Sequence, residues 1–325
     1  MDVVRRFSFR ALVAAIPVLI IVCAASVAVA APVVPGTGEV AVKDDFEDAT
    51  WKWVPQGPKS SSNIDDQVRD PAGASSNGRW QESRLRGEPD VIRRIDTPPG
   101  GIPGSKGALF LQTLRSGVPG RRTNKFQQDD LLMDAGMTTG GYIPVSWTPS
   151  VVVRVFMPPF ENWEKRTGAT FALRTDVTGT FEKPATRRVG FFGRSMRSTR
   201  KEVESFWPGI FVQFNSKTDG QNTEDSAMFL IRADNNGHDI TGPIIKQTGW
   251  WTIGMSFTGD GMAHYYASPG VDPLTPADHI ASSVPYGTRI ENFNTLFFNV
   301  VNQDDGKSWS TEWVVDDPAI YWIRR

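Results

Sequence analysis

Hydrophobic and polar residues alternate through most of the second half of the chain, in short runs separated by turn residues. A period of two is typical of β-strands that bury one face. The segments 234–237 and 259–261 are rich in Asn, Asp and Gly, which accept the positive φ of tight hairpin turns. The pattern predicts strands at residues 209–215, 227–233, 250–257, 262–267, 295–301 and 312–323.

The first half is more polar and predicts short strands at residues 45–47 and 89–95 and clearer ones at residues 107–113, 151–157 and 170–175. Residues 275–280 suggest a helical turn that Thr275 caps. Residues 299–306 are interpreted as a polar turn in which Gly306 takes positive φ, with a ligand-binding loop as the alternative. These elements predict an all-β protein, built as a two-sheet antiparallel β-sandwich.

The predicted domain spans residues 44–325 and follows a spacer at 31–43 that contains Pro and Gly. It carries a basic insertion around residues 178–204, where seven Lys and Arg occur with little periodicity. We interpret this insertion as a solvated surface excursion, because charge runs without hydrophobic alternation are usually solvated.

Residues 1–30 have the pattern of an export signal. Arg5, Arg6 and Arg10 precede an uncharged run that ends in the small-x-small sequence of residues 28–30, so we expect a signal peptide cleaved before Ala31. The alternative is an uncleaved membrane anchor, because about 20 apolar residues also span a bilayer. Either interpretation predicts a protein that is secreted, periplasmic or at the cell surface.

Composition and charge exclude several function classes. The single cysteine, Cys23, lies in the export segment, so the mature chain is expected to have no disulfide, thiol nucleophile or thiolate metal site. The formal net charge of −1 is too small to favour nucleic acid or an anionic membrane surface as a partner. Membrane contact is expected only through an uncleaved N-terminal segment.

Both ends of the domain and one aromatic hairpin carry a resemblance to a known superfamily. Residues 44–48 read DDFED, residues 313–321 read WVVDDPAIY, and residues 250–255 (WWTIGM) precede a GDG turn and the HYY of residues 264–266. These features resemble jelly-roll domains of the concanavalin A-like lectin and glucanase superfamily, including the LamG type. They are also similar to uncharacterised exported proteins of planctomycete-type bacteria. The resemblance implies a jelly roll with adjacent first and last strands and a polysaccharide or other glycan as partner.

Polar side chains at alternating strand positions are the candidate ligand-binding residues. If their faces coincide they line a groove, where Trp250 or Tyr266 stacks on a sugar ring and amides and guanidinium groups bind hydroxyls or carboxylates. The alternative is the ordinary solvated face of an antiparallel sheet. The arginines favour an acidic or sulfated glycan, and the basic insertion is then a candidate lid. The candidates are Arg154, Arg174, Gln213, Asn215, Arg232, Trp250, His264, Tyr266 and Asn299.

The acidic ends also predict a structural calcium ion as the one candidate cofactor. A hard cation takes several oxygen ligands, and related jelly rolls hold one at such a seam. The candidate ligands are Asp45, Glu47 and Asp317, with Asp44 and Asp316 as alternates because neighbouring strand residues point to opposite faces. The alternative is a set of ordinary surface carboxylates.

No catalytic motif of the superfamily is present, so the catalytic residues are unknown. The E-x-D-x-x-E strand of its retaining glycosidases is missing, and so are the R-T/S-E and Q-I/V-H signatures of its lyases, although residues 174–176 (RTD) imitate the first imperfectly. We therefore predict an exported, lectin-like carbohydrate-binding β-sandwich. A divergent polysaccharide lyase or glycoside hydrolase is the first alternative, and a structural cell-envelope protein is the second.

Overall fold

The computed structural model describes residues 31–189 and 194–324, which form two antiparallel β-sheets packed face to face. The predicted export segment, residues 1–30, lies outside the described residues. The strands are β1 (Glu39–Lys43), β2 (Trp53–Val54), β3 (Ala74–Ser75), β4 (Gln81–Glu82), β5 (Val91–Ile95), β6 (Ala108–Gln112), β7 (Gln127–Asp134), β8 (Ile143–Pro144), β9 (Ser150–Met157), β10 (Gly168–Val189), β11 (Arg194–Phe206), β12 (Gly209–Asn215), β13 (Ser226–Arg232), β14 (Ile240–Ile245), β15 (Gly249–Phe257), β16 (Ala263–Pro269), β17 (His279–Ser283), β18 (Asn292–Asn302) and β19 (Trp313–Trp322). Short helices are α1 (Ser62–Asp65) and α2 (Ala135–Thr139), with 3₁₀ turns at Val145–Trp147, Phe160–Asn162, Lys217–Asp219, Pro276–Asp278 and Pro285–Gly287.

Within the described ranges, eight strands form the smaller sheet and eleven form the larger one. The smaller sheet has the order β17-β16-β15-β9-β19-β6-β5, with β1 paired to β19. The larger sheet has the order β14-β13-β12-β10-β18-β7-β4-β3-β2, with β11 on β10 and β8 on β18. This architecture confirms the predicted fold class of a two-sheet antiparallel β-sandwich. No helix of the described chain is long and apolar enough to cross a membrane.

Strand alternation explains why the two sheets pack together. Phe171 and Leu173 of β10 and Phe298 of β18 point inward, where they meet Val153 and Val155 of β9 in one buried cluster. Full burial of a Val, Leu or Phe side chain contributes about 1.5–3 kcal/mol each. The residues between these inward positions must point out of the sandwich. The polar side chains of the candidate site occupy such outward positions.

The first and last strands lie side by side, as the resemblance implied, but the first strand starts earlier than expected. β1 pairs Lys43 with Ala319 and Glu39 with Trp322, whereas the sequence interpretation assigned residues 39–43 to the spacer. The acidic residues that follow β1 lie at its end, where the Asp44 N–H donates to Pro318 O at 3.1 Å.

Most predicted strands are found close to their predicted bounds, but β10 continues far beyond the predicted residues 170–175, and residues 45–47 form no strand. The principal missed strand is β7. β7 occupies an interior position of the larger sheet, yet its sequence begins QQDD. Asp129 pairs with Val300 on the inward face, where it meets the buried Lys59 ammonium at 2.7 Å. An ion pair thus fills a position where strand alternation leads one to expect a hydrophobic residue.

The basic insertion is more ordered than predicted. β10 and β11 form a long antiparallel hairpin that runs from the Val177–Phe206 pair to the Val189–Arg194 pair. Cross-strand charges support it, including Lys201 with Glu182 at 3.8 Å. The sequence analysis did not predict these two strands, because the segment shows little hydrophobic alternation; residues 190–193 lie outside the described residues.

The predicted turns at residues 275–280 and 299–306 are both found, although the second is shorter than predicted because β18 continues to Asn302. Thr275 and Asp278 form a capping box at the Pro276–Asp278 turn, with Thr275 N donating to Asp278 Oδ2 at 2.7 Å. Gly306 has a φ of 73°, and the turn that contains it joins β18 to β19.

Candidate functional site

The nine predicted ligand-binding residues divide between the two sheets, so they do not line one common groove. On the larger sheet lie Arg174 (β10), Gln213 and Asn215 (β12), Arg232 (β13) and Asn299 (β18). On the smaller sheet lie Arg154 (β9), Trp250 (β15), and His264 and Tyr266 (β16). The outer faces of two packed sheets point in opposite directions, and each group must be described by itself.

On the larger sheet, strand register brings Arg174 and Arg232 to the same outer row. Each pairs with Gly209 across the sheet, one on either side of β12. A Cβ at Gly209 would lie 2.6 Å from Arg174 Cγ, so only glycine leaves the space that the Arg174 side chain fills. Phe211, the next outward residue of β12, contacts both guanidinium groups, with its ring centroid 5.3 Å from Arg174 Cζ and 4.9 Å from Arg232 Cζ. These are cation–π distances.

Hydrogen bonds hold Arg174 in one orientation. Its Nε and Nη2 both donate to Trp207 O, at 3.2 and 2.6 Å, and its Nη1 donates to Asn299 Oδ1 at 3.4 Å. The Phe297 ring centroid lies 5.4 Å from Arg174 Cζ. Burial lowers the pKa of Arg174 to about 10, an effect that the neighbouring Asp130 partly opposes. Arg174 is therefore a fixed positive charge at neutral pH.

Asp130 of β7 is the buried carboxyl group of this surface. Asn299 Nδ2 donates to its Oδ1 at 2.6 Å, and Gln128 Nε2 donates to the same atom at 2.9 Å. Burial raises the pKa of Asp130 to about 6, although the Arg174 charge acts in the opposite direction. The predicted ligand residue Asn299 is thus occupied on both its amide atoms by protein partners.

Arg232 has a carboxylate partner of its own. Its Nε and Nη2 each donate to one oxygen of Asp239, both at 2.8 Å, in the fork geometry that suits a planar carboxylate. This hydrogen bonding raises the pKa of Arg232. Asp239 lies in the β13–β14 connection, and it shows that the Arg232 guanidinium is oriented to bind a carboxylate.

Three adjoining cavities cover this face, and we call them together the groove. The central cavity, of about 270 Å³, is lined by three arginines (Arg86, Arg174 and Arg232) and one carboxyl group, Asp130. A cavity of about 260 Å³ shares Arg86 and Arg232 with it. A third, of about 220 Å³, shares Asp130. Gln128, Trp207 and Phe297 also line the central cavity. The second cavity is also lined by Phe126, Phe211, Gln213 and Asp239. Trp207 and Phe297 extend into the lining of the third cavity.

Four of the five candidates on the larger sheet therefore lie together: Arg174 and Arg232 line the groove, Gln213 lines its second cavity, and Asn299 positions Arg174 and Asp130. Asn215 does not line these cavities. It ends β12, two residues beyond Gln213, and its Nδ2 donates to Ser226 Oγ at 3.5 Å.

On the smaller sheet, chain segments cover the aromatic candidates. Trp250 is 6% exposed; its ring packs edge-on against Phe156 at 5.4 Å between centroids, and its Nε1 donates to Pro99 O at 3.2 Å. Tyr266 is 1% exposed and packs with Leu274. Neither ring presents a face on which a sugar could stack in this structure.

The other two candidates of the smaller sheet are also occupied by protein partners. Arg154 Nε donates to Val271 O at 3.2 Å. His264 is buried between Thr258 Oγ1, 2.8 Å from its Nε2, and Ser282 Oγ, 2.7 Å from its Nδ1. Because the Thr258 hydroxyl donates to Asp260 Oδ1 at 2.5 Å, its oxygen is left to accept from Nε2–H, and Nδ1 then accepts from Ser282. Burial lowers the pKa of His264 to about 4.

The acidic seam contains the predicted calcium ligands: Asp45 and Glu47 follow the end of β1 and have protein partners, whereas Asp317 lies within β19. Asp45 binds Lys43 Nζ at 3.2 Å, and Glu47 Oε1 accepts the Lys106 N–H at 2.8 Å. Burial raises the pKa of Asp317, and the charges of Asp45 and Glu47 raise it further while Arg154 opposes them. These carboxyl groups thus influence one another electrostatically.

The alternate calcium ligands, Asp44 and Asp316, accept hydrogen bonds from protein side chains. Asp44 Oδ2 accepts from Trp51 Nε1 at 3.2 Å and Trp80 Nε1 at 2.9 Å, while Asp316 Oδ2 accepts from Ser105 Oγ at 2.9 Å. In the described residues no group of three or more His, Cys, Asp or Glu is arranged to hold a metal ion. Structural calcium stays a prediction.

Sequence reasoning missed several residues of the groove, and alternation could have found two of them. Phe211 precedes Gln213 by two residues, and Phe297 precedes Asn299 by two. Each aromatic ring must therefore point outward on the same side of the sheet as the predicted ligand residue that follows it. No comparable signal marks the remaining ones, because they come from loops or from the unpredicted strand β7. These are Arg86, Phe126, Gln128, Asp130, Trp207 and Asp239.

The sequence matches no protein-family model, and no curated protein matches it significantly. Solved structures do resemble the fold. A Bacteroides ovatus protein titled xyloglucan PUL GH43B aligns over 83% of this chain at 8% identity and a TM-score of 0.35. The PL7 alginate lyase AlyA1 from Zobellia galactanivorans aligns over 84% at 12% identity and 0.37, and an endo-β-1,4-glucuronan lyase from Trichoderma reesei over 87% at 9% identity and 0.35.

The aligned region spans 40% of the Bacteroides protein and 95% of each lyase. At this identity and TM-score, the likeness supports no statement about ligand or activity. The class of the chain is therefore the one that its own strands define, a jelly-roll type of antiparallel β-sandwich. The similarity to planctomycete-type exported proteins stays a prediction.

Proposed function

We propose that this protein is an exported carbohydrate-binding β-sandwich that binds an acidic glycan along the groove of its larger sheet. The observation that carries the proposal is the charge of the central cavity, where Arg86, Arg174 and Arg232 surround one buried carboxyl group, Asp130. The third cavity of the groove is instead lined by Glu82, Asp130 and Asp176 beside Arg84. The excess of positive charge is therefore confined to the central cavity, although the formal net charge of the whole chain is −1. Such a surface attracts an anionic ligand.

The other groove residues suit a sugar chain. Gln213 and Gln128 offer amide groups for ring hydroxyls, and Trp207 and the half-exposed Phe126 offer apolar surface beside them. An open site that mixes a few oriented polar groups with aromatic surface is typical of small-ligand recognition. The Arg232–Asp239 fork shows the carboxylate geometry that a uronate group would adopt in place of Asp239.

Substitutions of Arg232 and Asp239 are expected to change glycan affinity in opposite directions. Arg232→Gln removes the carboxylate-binding fork, and we expect affinity for an acidic glycan to fall about tenfold, equivalent to about 1.4 kcal/mol. Asp239→Asn removes the internal competitor of the ligand, and we expect affinity to rise about threefold. Isothermal titration with the best binder from an array of neutral, sulfated and uronic polysaccharides measures both. The matched control is Arg289→Gln, an exposed arginine at another site.

The same samples separate the alternative functions. New reducing ends, or absorbance of unsaturated uronates, would identify a hydrolase or lyase. Absence of binding to every polysaccharide on the array would contradict the proposal and favour a structural cell-envelope role. Equal effects of Arg232→Gln and Arg289→Gln would show that binding occurs elsewhere on the surface.

A further inference from the structure

A second cavity lined by arginines lies outside the groove, in the loop that joins β6 to β7. It has a volume of about 360 Å³, and we call it the arginine cavity. Arg115, Arg121 and Arg122 supply three guanidinium groups, and Asp304 and Gly306 close it from the β18–β19 connection. These arginines lie outside the alternating strands, and neither the sequence analysis nor the proposed groove uses them.

Hydrogen bonds fix the loop that carries these arginines. Asp304 Oδ2 accepts from Thr123 N and Thr123 Oγ1, both at 2.7 Å, and Asp304 O accepts from Asn124 N at 3.1 Å. Asn302 Nδ2 donates to Leu114 O at 2.9 Å. The backbone that carries the arginines is therefore fixed before any ligand arrives, so binding has to order only the arginine side chains.

The charge of the arginine cavity is not balanced within the protein. In residues 31–189 and 194–324, none of the three guanidinium groups forms an ion pair with a carboxylate. The one carboxyl group that lines the cavity, Asp304, is 2% exposed and already accepts the two Thr123 hydrogen bonds. All three arginines are exposed, and guanidinium groups without a partner carboxylate can donate their N–H groups to an oxyanion.

The arginine cavity lies at the end of the groove where β7 begins. The chain passes from Arg122 through the Thr123 anchor to Phe126 and Gln127, both of which line the second cavity of the groove. Gly117 of the same loop lies between the two sites, because a Cβ built on it would be 3.3 Å from Asp304 Oδ2 and 3.4 Å from Gln127 Cγ. The two sites thus adjoin through the first residues of β7.

We infer that the arginine cavity is an accessory subsite that binds a sulfate or carboxylate group farther along the acidic glycan chain that occupies the groove. This inference rests on the proposed function. It predicts that the protein selects for length: a chain long enough to reach both sites gains a second set of charged contacts, whereas a short one fills the groove alone. Linking two binding events in one ligand raises affinity without any change in the groove.

The test compares heparin tetrasaccharide with heparin decasaccharide, which carry both sulfate and uronate groups, by isothermal titration. For the wild-type protein we expect the decasaccharide to bind at least tenfold more tightly per chain. In Arg121→Ala/Arg122→Ala that advantage should fall below about threefold, with tetrasaccharide affinity unchanged. The charge-matched control is Arg289→Ala/Lys246→Ala, which removes two exposed positive charges elsewhere and should keep the length advantage. Melting temperatures verify that every variant is folded.

Inorganic sulfate provides an independent readout. Arginine Nε–Hε resonances in the wild-type protein should shift on sulfate titration, and the signals that disappear in Arg121→Ala/Arg122→Ala should be among those that shift. A length advantage that survives in this variant overturns the accessory subsite, while tetrasaccharide binding by the wild type leaves the proposed function standing. If neither oligosaccharide binds, the accessory subsite is overturned, and the polysaccharide array alone then decides the proposed function.

Discussion

The outer faces of the two sheets have similar sequence patterns and different surroundings. On the larger sheet, Arg174 and Arg232 line cavities that reach the surface. On the smaller sheet, Trp250 and Tyr266 occupy equivalent outward positions, yet each is covered by another segment of the chain. Alternation of polar and apolar residues fixes which face a side chain joins. Whether that face is open depends on loops that come from distant parts of the sequence.

The largest expected effect is a loss of folding stability when a covered side chain of the smaller sheet is removed. Trp250→Ala empties a buried site between Phe156 and the Pro98–Pro99 carbonyl groups, and loss of a buried Trp typically costs about 3–5 kcal/mol. We expect a loss of that size in the free energy of unfolding, measured by urea denaturation, with glycan affinity unchanged where the variant is folded.

The matched change on the larger sheet is Gln213→Ala. Gln213 lines the groove, and its amide has no hydrogen-bond partner among the described residues. We expect glycan affinity to fall about threefold to tenfold, and the free energy of unfolding to change by less than about 0.5 kcal/mol. If Trp250→Ala abolished binding and Gln213→Ala left it intact, the assignment of the binding face would be reversed.

These two faces also show how much the sequence could predict. Phe211, Gln213, Phe297 and Asn299 follow from strand phase alone, because each pair is two residues apart. The placement of Arg174 and Arg232 on either side of Gly209 could not be predicted from strand phase, because it depends on which strands are neighbours in the sheet and on their register.

Other parts of the site required the folded chain. Asp130 was missed with its strand, because the neighbouring Asp129 occupies an inward position as part of an ion pair with Lys59. The arginine cavity was missed because its residues come from two loops, which have no period to interpret. Burial of Trp250 likewise depends on residues 98–99, which lie about 150 positions earlier in the chain.

A smaller effect is expected from His264, the titratable candidate of the covered face. Burial holds its folded pKa at about 4, below the value of 6.5 for an unperturbed histidine, and the nearby His279 adds to the shift while Asp260 opposes it. The unfolded state therefore takes up a proton first as the pH falls. His264 contributes its full stability above about pH 6.5, and this contribution is lost as the pH falls toward 4.

This pH dependence is measurable by thermal unfolding between pH 7 and pH 5. After allowance for solvent screening, we expect wild type to lose about 1 kcal/mol more than His264→Gln, or about 3 °C in melting temperature. His238→Gln is the control, because that side chain is 79% exposed. Equal acid sensitivity of wild type and His264→Gln would show that the buried ring is not the group that titrates.

The smallest expected effect concerns the acidic seam, which belongs to neither open nor covered face. The charges of Asp45 and Glu47 raise the pKa of Asp317, and the charge of Asp45 acts to raise the pKa of Glu47, which hydrogen bonds hold low. A cation bound among them would relieve this repulsion. We expect millimolar calcium to raise the melting temperature by about 2 °C, and Asp317→Asn to remove that response. Magnesium is the matched control, because its strict octahedral geometry suits a preformed seam of strand ends less well. A melting temperature unchanged by calcium and by chelation would mean that Lys43 and the Lys106 N–H already satisfy these carboxylates, and that the seam is held by protein contacts alone.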